Sequence, residues 1–444
     1  PYYFSDDGDT VVFGSEIKAM VPALGGMPPV DEEALHHFLT FNYVPAPYTF
    51  RRGVRHLMPG HAMRIDRSGA KTWRWWDLSQ QAPIAGRSEG SWIEEFNAIL
   101  DDAVRVRMRS DVPFGAFLSG GVDSSTIVGL MTRHTTEPVK TFCIGFDDPR
   151  YDEAPFAQAA ADRFGTDHLM ERVDPDMLGL WPMATRHCDQ PHGDVSFLPT
   201  YRVSQLAARR VKVVLTGDGG DELFAGYDKY RDFFAGDAVA NLDDRTFQQR
   251  YFDSISLFGP ERKLGLYADG VRDRLAGIDS FEIARGWFDQ VPHQDRINQA
   301  LYLDTQLLLS GNNLVKPDRM GMAVSIEART PFLDYRMMEF AFRMPGNLKL
   351  KDGVTKYLYK KAVAPLIGEE LAYRKKQMFT VPVGDWFRDR LAGYCRDHIE
   401  HVIDSSDIFR AEPLRALVAD HVSGSANNTR EIRAMIAVDL ALQL

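Results

Sequence analysis

Leu118-Ser119-Gly120-Gly121-Val122-Asp123-Ser124-Ser125 decides how this chain is read. The apolar run from Val112 to Leu118 precedes it and reads as a buried strand, and Thr126-Ile127-Val128-Gly129-Leu130-Met131 follows it as a helix. A strand, a glycine-rich turn and a helix N-terminus together form an anion site. Backbone N–H groups point outward there, and the helix dipole favours negative charge. No lysine follows the glycines, unlike the loops that hold a nucleotide for γ-phosphoryl transfer. Asp123 stands in the turn instead, placed to hold Mg²⁺ beside a polyphosphate. Such a loop suits pyrophosphate as a leaving group, which makes the α-phosphorus the reactive one.

Working outward, Val211-Lys212-Val213-Val214-Leu215 is a second strand-like run, followed by Thr216-Gly217-Asp218-Gly219-Gly220-Asp221-Glu222. Ligands of open α/β sheets bind at the carboxyl ends of strands, so two such turns from one sheet would face each other across a nucleotide. Strands are expected at 113–118, 139–146, 168–173 and 211–215, with helices at 124–133, 153–164 and 197–209. That alternation predicts a parallel, doubly wound α/β sheet. An amphipathic helix is expected from Trp92 to Met108, with Ile93, Phe96, Ile99, Leu100 and Val104 on one face. After Asp221 the sequence reads as mostly helical to its end, its aromatic residues as core.

Residues 1–78 alternate short strand-like runs (10–14, 61–65) with turns, and Asp31 is placed to cap a short helix. Residues 79–90, with Ser79, Pro83, Gly86 and Ser88, read as a linker.

The motifs SGGVDSS, TGDGGDELFAGY and DRMGMAVSIEARTPFLD (Asp318 to Asp334) follow one another in an order that resembles the glutamine-dependent asparagine synthetases. Residues 2–78, notably Tyr2-Tyr3-Phe4 and Gly14-Ser15-Glu16-Ile17-Lys18, resemble the second half of that family's glutaminase domain. The resemblance implies residues 1–78 as the C-terminal part of a glutaminase domain of α+β type. It implies residues 91–444 as a synthetase domain of the ATP-pyrophosphatase type with a helical C-terminal part. The implied reaction converts aspartate, ATP and ammonia into asparagine through β-aspartyl-AMP, the ammonia coming from glutamine at an N-terminal cysteine. Pro1 offers no thiol, and the first cysteine is Cys143, so the chain as written is expected to use free ammonia.

For the site, Ser119, Gly120, Gly121, Asp123, Ser124 and Ser125 are expected to cradle the β- and γ-phosphates of ATP. Asp123 and Asp221 are expected to hold Mg²⁺. Leu118, Ile144, Thr216 and Gly217 align with nucleotide-binding positions of the family, although Ile144 reads equally as plain core. Asp218 stands where the family's residue for β-aspartyl-AMP formation lies, which is Glu in many bacterial members. Glu327 is expected to be partly buried beside Arg329, as a structural pair or, as the second reading, orienting substrate. Lys376, in Arg374-Lys375-Lys376-Gln377-Met378-Phe379, resembles the lysine of the family's Arg-x-Lys-x-x-Phe signature that contacts the forming adenylate. Many relatives carry Gly where Met378 stands, and the run reads alternatively as a solvated basic turn. Lys356 matches a second family lysine. His187, Cys188 and His192 fall in a loop the family does not use for metal, and His398 and His401 read as surface residues.

The composition, 44% hydrophobic and 26% charged with a net charge of −10, is that of a globular protein with no basic stripe for nucleic acid. No apolar run approaches a membrane span. Three scattered cysteines fit a reducing cytoplasm. Small-molecule substrates, and a homodimer, are the expected partners. Rival readings keep the adenylation and change the acid, as in sugar amidotransferases or lasso-peptide cyclases. The β-lactam synthetases place Tyr in the region of Glu327. An RNA-modifying enzyme is disfavoured by the charge. A silent binding module is disfavoured by three mutually repelling acids at 123, 218 and 221.

Overall fold

In the computed structural model, residues 2–444 are described apart from 68, 149, 151, 174–176, 237–238, 240 and 376–382. The first three strands, β1 (Tyr3–Asp6), β2 (Val11–Gly14) and β3 (Arg55–His56), form an antiparallel sheet in the order β2-β1-β3. Helix α1 (Ile17–Leu24) packs on it around Tyr3, Ile17, Met20 and Val54. A separate hairpin pairs β4 (His61–Asp66) with β5 (Gly69–Arg74). Helix α2 (Glu32–Phe41) begins as expected, Asp31 accepting the Ala34 N–H at 3.1 Å.

After Ser88 caps α3 (Glu89–Arg107), the strand–helix alternation runs as the apolar pattern requires. The elements are β6 (Phe114–Phe117), α4 (Val122–Met131), β7 (Lys140–Gly145), α5 (Ala154–Phe164) and β8 (Asp167–Arg172), then α6 (Trp181–Cys188), α7 (Phe197–Ala208) and β9 (Val213–Leu215). A fifth strand, β10 (Glu327–Arg329), pairs with β9. The sheet order is β10-β9-β6-β7-β8 and every pairing is parallel. The chain steps outward from β6 to β8, then returns to add β9 and β10 on the other side of β6. The reversal between β6 and β9 is the place where such sheets bind ligands.

Alternate residues of each strand supply two cores. Ala116, Cys143, Val213 and Leu215 face Phe96 and Leu100 of α3, Val128 of α4 and Ala157 of α5. Phe142, Ile144 and Val214 face the other way, toward Leu198 and Leu206 of α7 and Met435 of the last helix, Thr429–Leu442. Leu35, Phe38 and Leu39 of α2 belong to this second core as well. Full burial of a side chain such as Phe96 is worth about 2–3 kcal/mol.

The stretch read as a linker is tied down along its length. The Ile84 N–H donates to the Arg343 carbonyl at 2.8 Å, and the Gln81 carbonyl accepts from Gln294 Nε2 at 2.7 Å. Among the described residues no helix is long and apolar enough to cross a membrane.

Candidate active site

The turns after β6 and β9 abut at the switch point. A Cβ on Gly217 would lie 2.6 Å from Asp123 Cβ, so only glycine lets the second turn close against the first. The first turn is held from within: Ser124 Oγ accepts the Ser119 N–H at 3.2 Å, and Ser119 Oγ accepts that of Gly121 at 3.3 Å. Gly121 opens α4, whose first amides have no intrahelical acceptor. Ser125 is fully buried, and its hydroxyl has no hydrogen-bond partner among the described residues.

Lys356 stands at the joint of the two turns, just before helix Tyr357–Ile367. Its Nζ donates to both carboxylate oxygens of Asp123 at 2.6 Å and pairs with Asp221 Oδ1 at 2.7 Å. The side chain is 3% exposed and its ammonium lies 5.5 Å from the Tyr359 ring centroid. Burial alone would favour the neutral amine, but the Asp123 and Asp221 carboxylates outweigh it and hold the Lys356 pKa above its ordinary value.

Asp218 accepts from the Thr216 hydroxyl at 2.6 Å. Burial pushes its pKa up, and the charges of Asp123 and Asp221 push the same way, against the Thr216 hydrogen bond and Lys316. Glu222, 1% exposed, accepts from Tyr227 Oη and Asn313 Nδ2, both at 2.6 Å. Burial and the neighbouring Asp221 raise it too. Asn313 closes a π-helical stretch, Thr305–Asn313, a geometry frequent at functional sites.

Asp123 and Asp221 come within one cation's reach, since a single ammonium touches both. Among the described residues no group of three or more His, Cys, Asp or Glu side chains is arranged to hold a metal ion. Two carboxylates are a donor set that fits Mg²⁺, which keeps few protein ligands, better than it fits Zn²⁺.

The structure thus brings Ser119 to Ser125, Thr216 to Asp221 and Lys356 together at the carboxyl ends of β6 and β9. Leu118, Ile144 and Thr216 are buried there, 1%, 2% and 3% exposed, with the Ile144 side chain in the second core. Glu327 is different. It pairs with Val213, at the amino end of β9, and its side chain is 58% exposed, bonded to Arg329 Nε at 2.8 Å. The expectation of partial burial is corrected: strand alternation buries Ile326 and turns Glu327 to solvent. Lys376 lies outside the described residues.

Neighbouring Arg374 is no solvated turn residue, being 9% exposed and bonded to Glu153 and to the first turn. Nothing local in the sequence marks Tyr227 or Asn313, whereas Glu222 is one of the three acids that, with three glycines, mark the second turn. His398 departs from a surface reading, its side chain 16% exposed and bonded to the buried Asp439, whereas His401 is a surface residue that bonds the same carboxylate.

Residues 95–444 match the asparagine synthase family model, and residues 1–76 match that of a glutamine amidotransferase domain. The glutamine-hydrolyzing asparagine synthetase 1 of Bacillus subtilis (strain 168) is 30% identical over 97% of this chain and 72% of its own length. A putative glutamine-hydrolyzing asparagine synthetase of Mycobacterium bovis is 28% identical over 98% of this chain and 71% of its own. A protein named amidase chyE, from Penicillium rubens, is 25% identical over 76% of this chain and 60% of its own. Among solved structures, the NMN synthetase of Francisella tularensis matches 47% of this chain and 96% of its own at 16% identity and a TM-score of 0.23. With its family match running over both abutting turns and Lys356, the chain belongs to the asparagine synthase family, ligases that amidate a carboxylate at the expense of ATP.

Proposed function

We propose that this enzyme makes asparagine from aspartate through β-aspartyl-AMP. One observation carries the reading: Lys356 joins Asp123 and Asp221, one acid from each turn, at the mouth of a lysine-free phosphate loop.

In the proposed reaction a β-carboxylate oxygen of aspartate attacks the α-phosphorus, and pyrophosphate departs with the bridging electron pair. Ammonia then attacks the acyl carbon, AMP leaves, and the amide nitrogen loses its extra proton. The loop from Ser119 to Ser125 holds the β- and γ-phosphates, and Leu118, Ile144, Thr216 and Gly217 border the nucleoside. Asp123 and Asp221 would hold Mg²⁺, which would supply positive charge beside the departing pyrophosphate. Lys356 adds a buried ammonium to the same phosphates, and Lys376 is assigned to the charge that develops during adenylation. Asp218, its pKa raised by burial, borders the reacting carboxyl. Buried free thiols at Cys143, Cys188 and Cys395 support a reducing, cytoplasmic setting.

Incubation with ATP, Mg²⁺, aspartate and ammonia should give AMP, pyrophosphate and asparagine in equal amounts. ADP and phosphate as products would overturn the reading. A second reading keeps the adenylation and changes the acid, and the amidase-named relatives favour it. Pyrophosphate release with other carboxylic acids, and none with aspartate, would decide for it.

A further inference from the structure

We propose that Arg374 is a positioning residue that fixes the peptide orientations of the phosphate loop, so that the loop presents N–H groups to a polyphosphate. The proposal rests on the nucleotide reading above. Arg374 follows the short helix Glu369–Tyr373 and reaches behind the loop. Its Nε donates to the Gly120 carbonyl at 2.8 Å, and one terminal nitrogen lies 3.5 Å from the Ser119 carbonyl. The same nitrogen donates to Glu153 Oε1 at 2.7 Å, the two side chains being 9% and 7% exposed. The guanidinium sits 4.3 Å from the Phe156 ring centroid.

These contacts hold more than a surface ion pair would. In a trans peptide the C=O and N–H point in opposite directions. Drawing the Gly120 carbonyl toward Arg374 therefore turns the Gly121 N–H the other way, into the loop, where Ser119 Oγ accepts it at 3.3 Å. Gly120 has φ of +68°, and a Cβ there would lie 2.3 Å from the backbone carbon of Phe156, so the loop is seated directly on α5. Flanked by two residues without Cβ, the Gly120–Gly121 peptide is free to flip unless something holds its carbonyl. A flipped peptide would aim an oxygen at the phosphates. Arg374 holds that carbonyl, and Glu153 and Phe156 hold Arg374. Its charge is matched by Glu153, and its bonded nitrogens act through the loop.

Calorimetric titration of pyrophosphate and of AMP into the wild-type enzyme, Arg374→Lys and Arg374→Met tests this. Both variants should bind pyrophosphate about tenfold or more weakly, the loss expected when a charge-assisted hydrogen bond goes. AMP, which lacks the β- and γ-phosphates, should change less than about twofold and reports that the fold is intact. Lysine should not rescue, because one ammonium cannot reproduce a planar fork and a ring stack. Wild-type pyrophosphate affinity in Arg374→Lys, or equal losses for AMP and pyrophosphate, would overturn the proposal. Absence of pyrophosphate binding by the wild-type enzyme would overturn the nucleotide reading beneath it.

Discussion

Asparagine in place of Asp123 or Asp221 keeps the side chain's shape and removes a charge that pairs with Lys356 and that the proposed Mg²⁺ site would require. Each substitution should lower turnover by on the order of 100-fold or more, the rate equivalent of a few kcal/mol of lost charge stabilisation. Wild-type turnover in either variant at ordinary Mg²⁺ would remove that residue from the metal site. Lys356→Met has a different signature. It removes the cation shared by two largely buried carboxylates, 18% and 14% exposed, and should cost about 3 kcal/mol in urea unfolding. Adding Asp123→Asn to the methionine variant should return part of that loss. The acids were legible in the sequence because each sits in a glycine-rich turn after an apolar run. The centrality of Lys356 was not, because it stands 233 residues from Asp123 and only the folded chain joins them. Glu327 misled for a related reason: apolar neighbours suggest burial, but on a strand they occupy the opposite face.

The strands that read clearly are those buried on both faces. β7 has Phe142 and Ile144 in one core and Cys143 in the other, so residues 142–146 form a continuous apolar run. β10 carries Glu327, Ala328 and Arg329 at the sheet's edge and has no apolar signature; only its pairing with Val213 to Leu215 makes it a strand. The element that follows carries its own prediction. Asp334 caps helix Tyr335–Arg343 by accepting the Arg336 N–H at 3.1 Å, and it binds Arg107 of α3 at 2.9 Å. Burial opposes its ionisation, but the Arg336 and Arg107 guanidiniums prevail and bring its pKa down to about 2. A carboxyl depressed in the folded state stabilises above its unfolded value and loses that contribution as pH falls through the folded one. Asp334→Ala should therefore cost about 1–2 kcal/mol near neutrality. The difference from wild type should vanish as pH drops from about 4 toward 2. A difference unchanged across that range in urea titrations would show that the charge contributes nothing.

Across the whole molecule, four histidines lie where residues 1–78 meet the rest. His36 bonds the Ile278 carbonyl, His37 bonds Ser280, His56 bonds Gln190, and His192 bridges to Tyr43. Burial lowers His36, His37 and His56 to about 3 and His192 to about 4. The unfolded chain then binds more protons than the folded one below about pH 6.5, so stability must fall as pH drops from there toward 4. The urea midpoint should decline over that interval, and His37→Gln should flatten the decline; a midpoint constant from pH 7 to 5 would contradict it.

The same seam shows how the chain can be recombined. Leu35, Phe38, Leu39, Val44 and Phe50 fill one core with Phe142, Ile144 and Val214 of the sheet. A chimera joined at residue 79 would import a foreign set of side chains into that core, whereas one joined before Asp31 would leave the native set in place. The stretch from Asp31 to Phe50 thus belongs with the sheet, and the portion open to exchange ends well before residue 79.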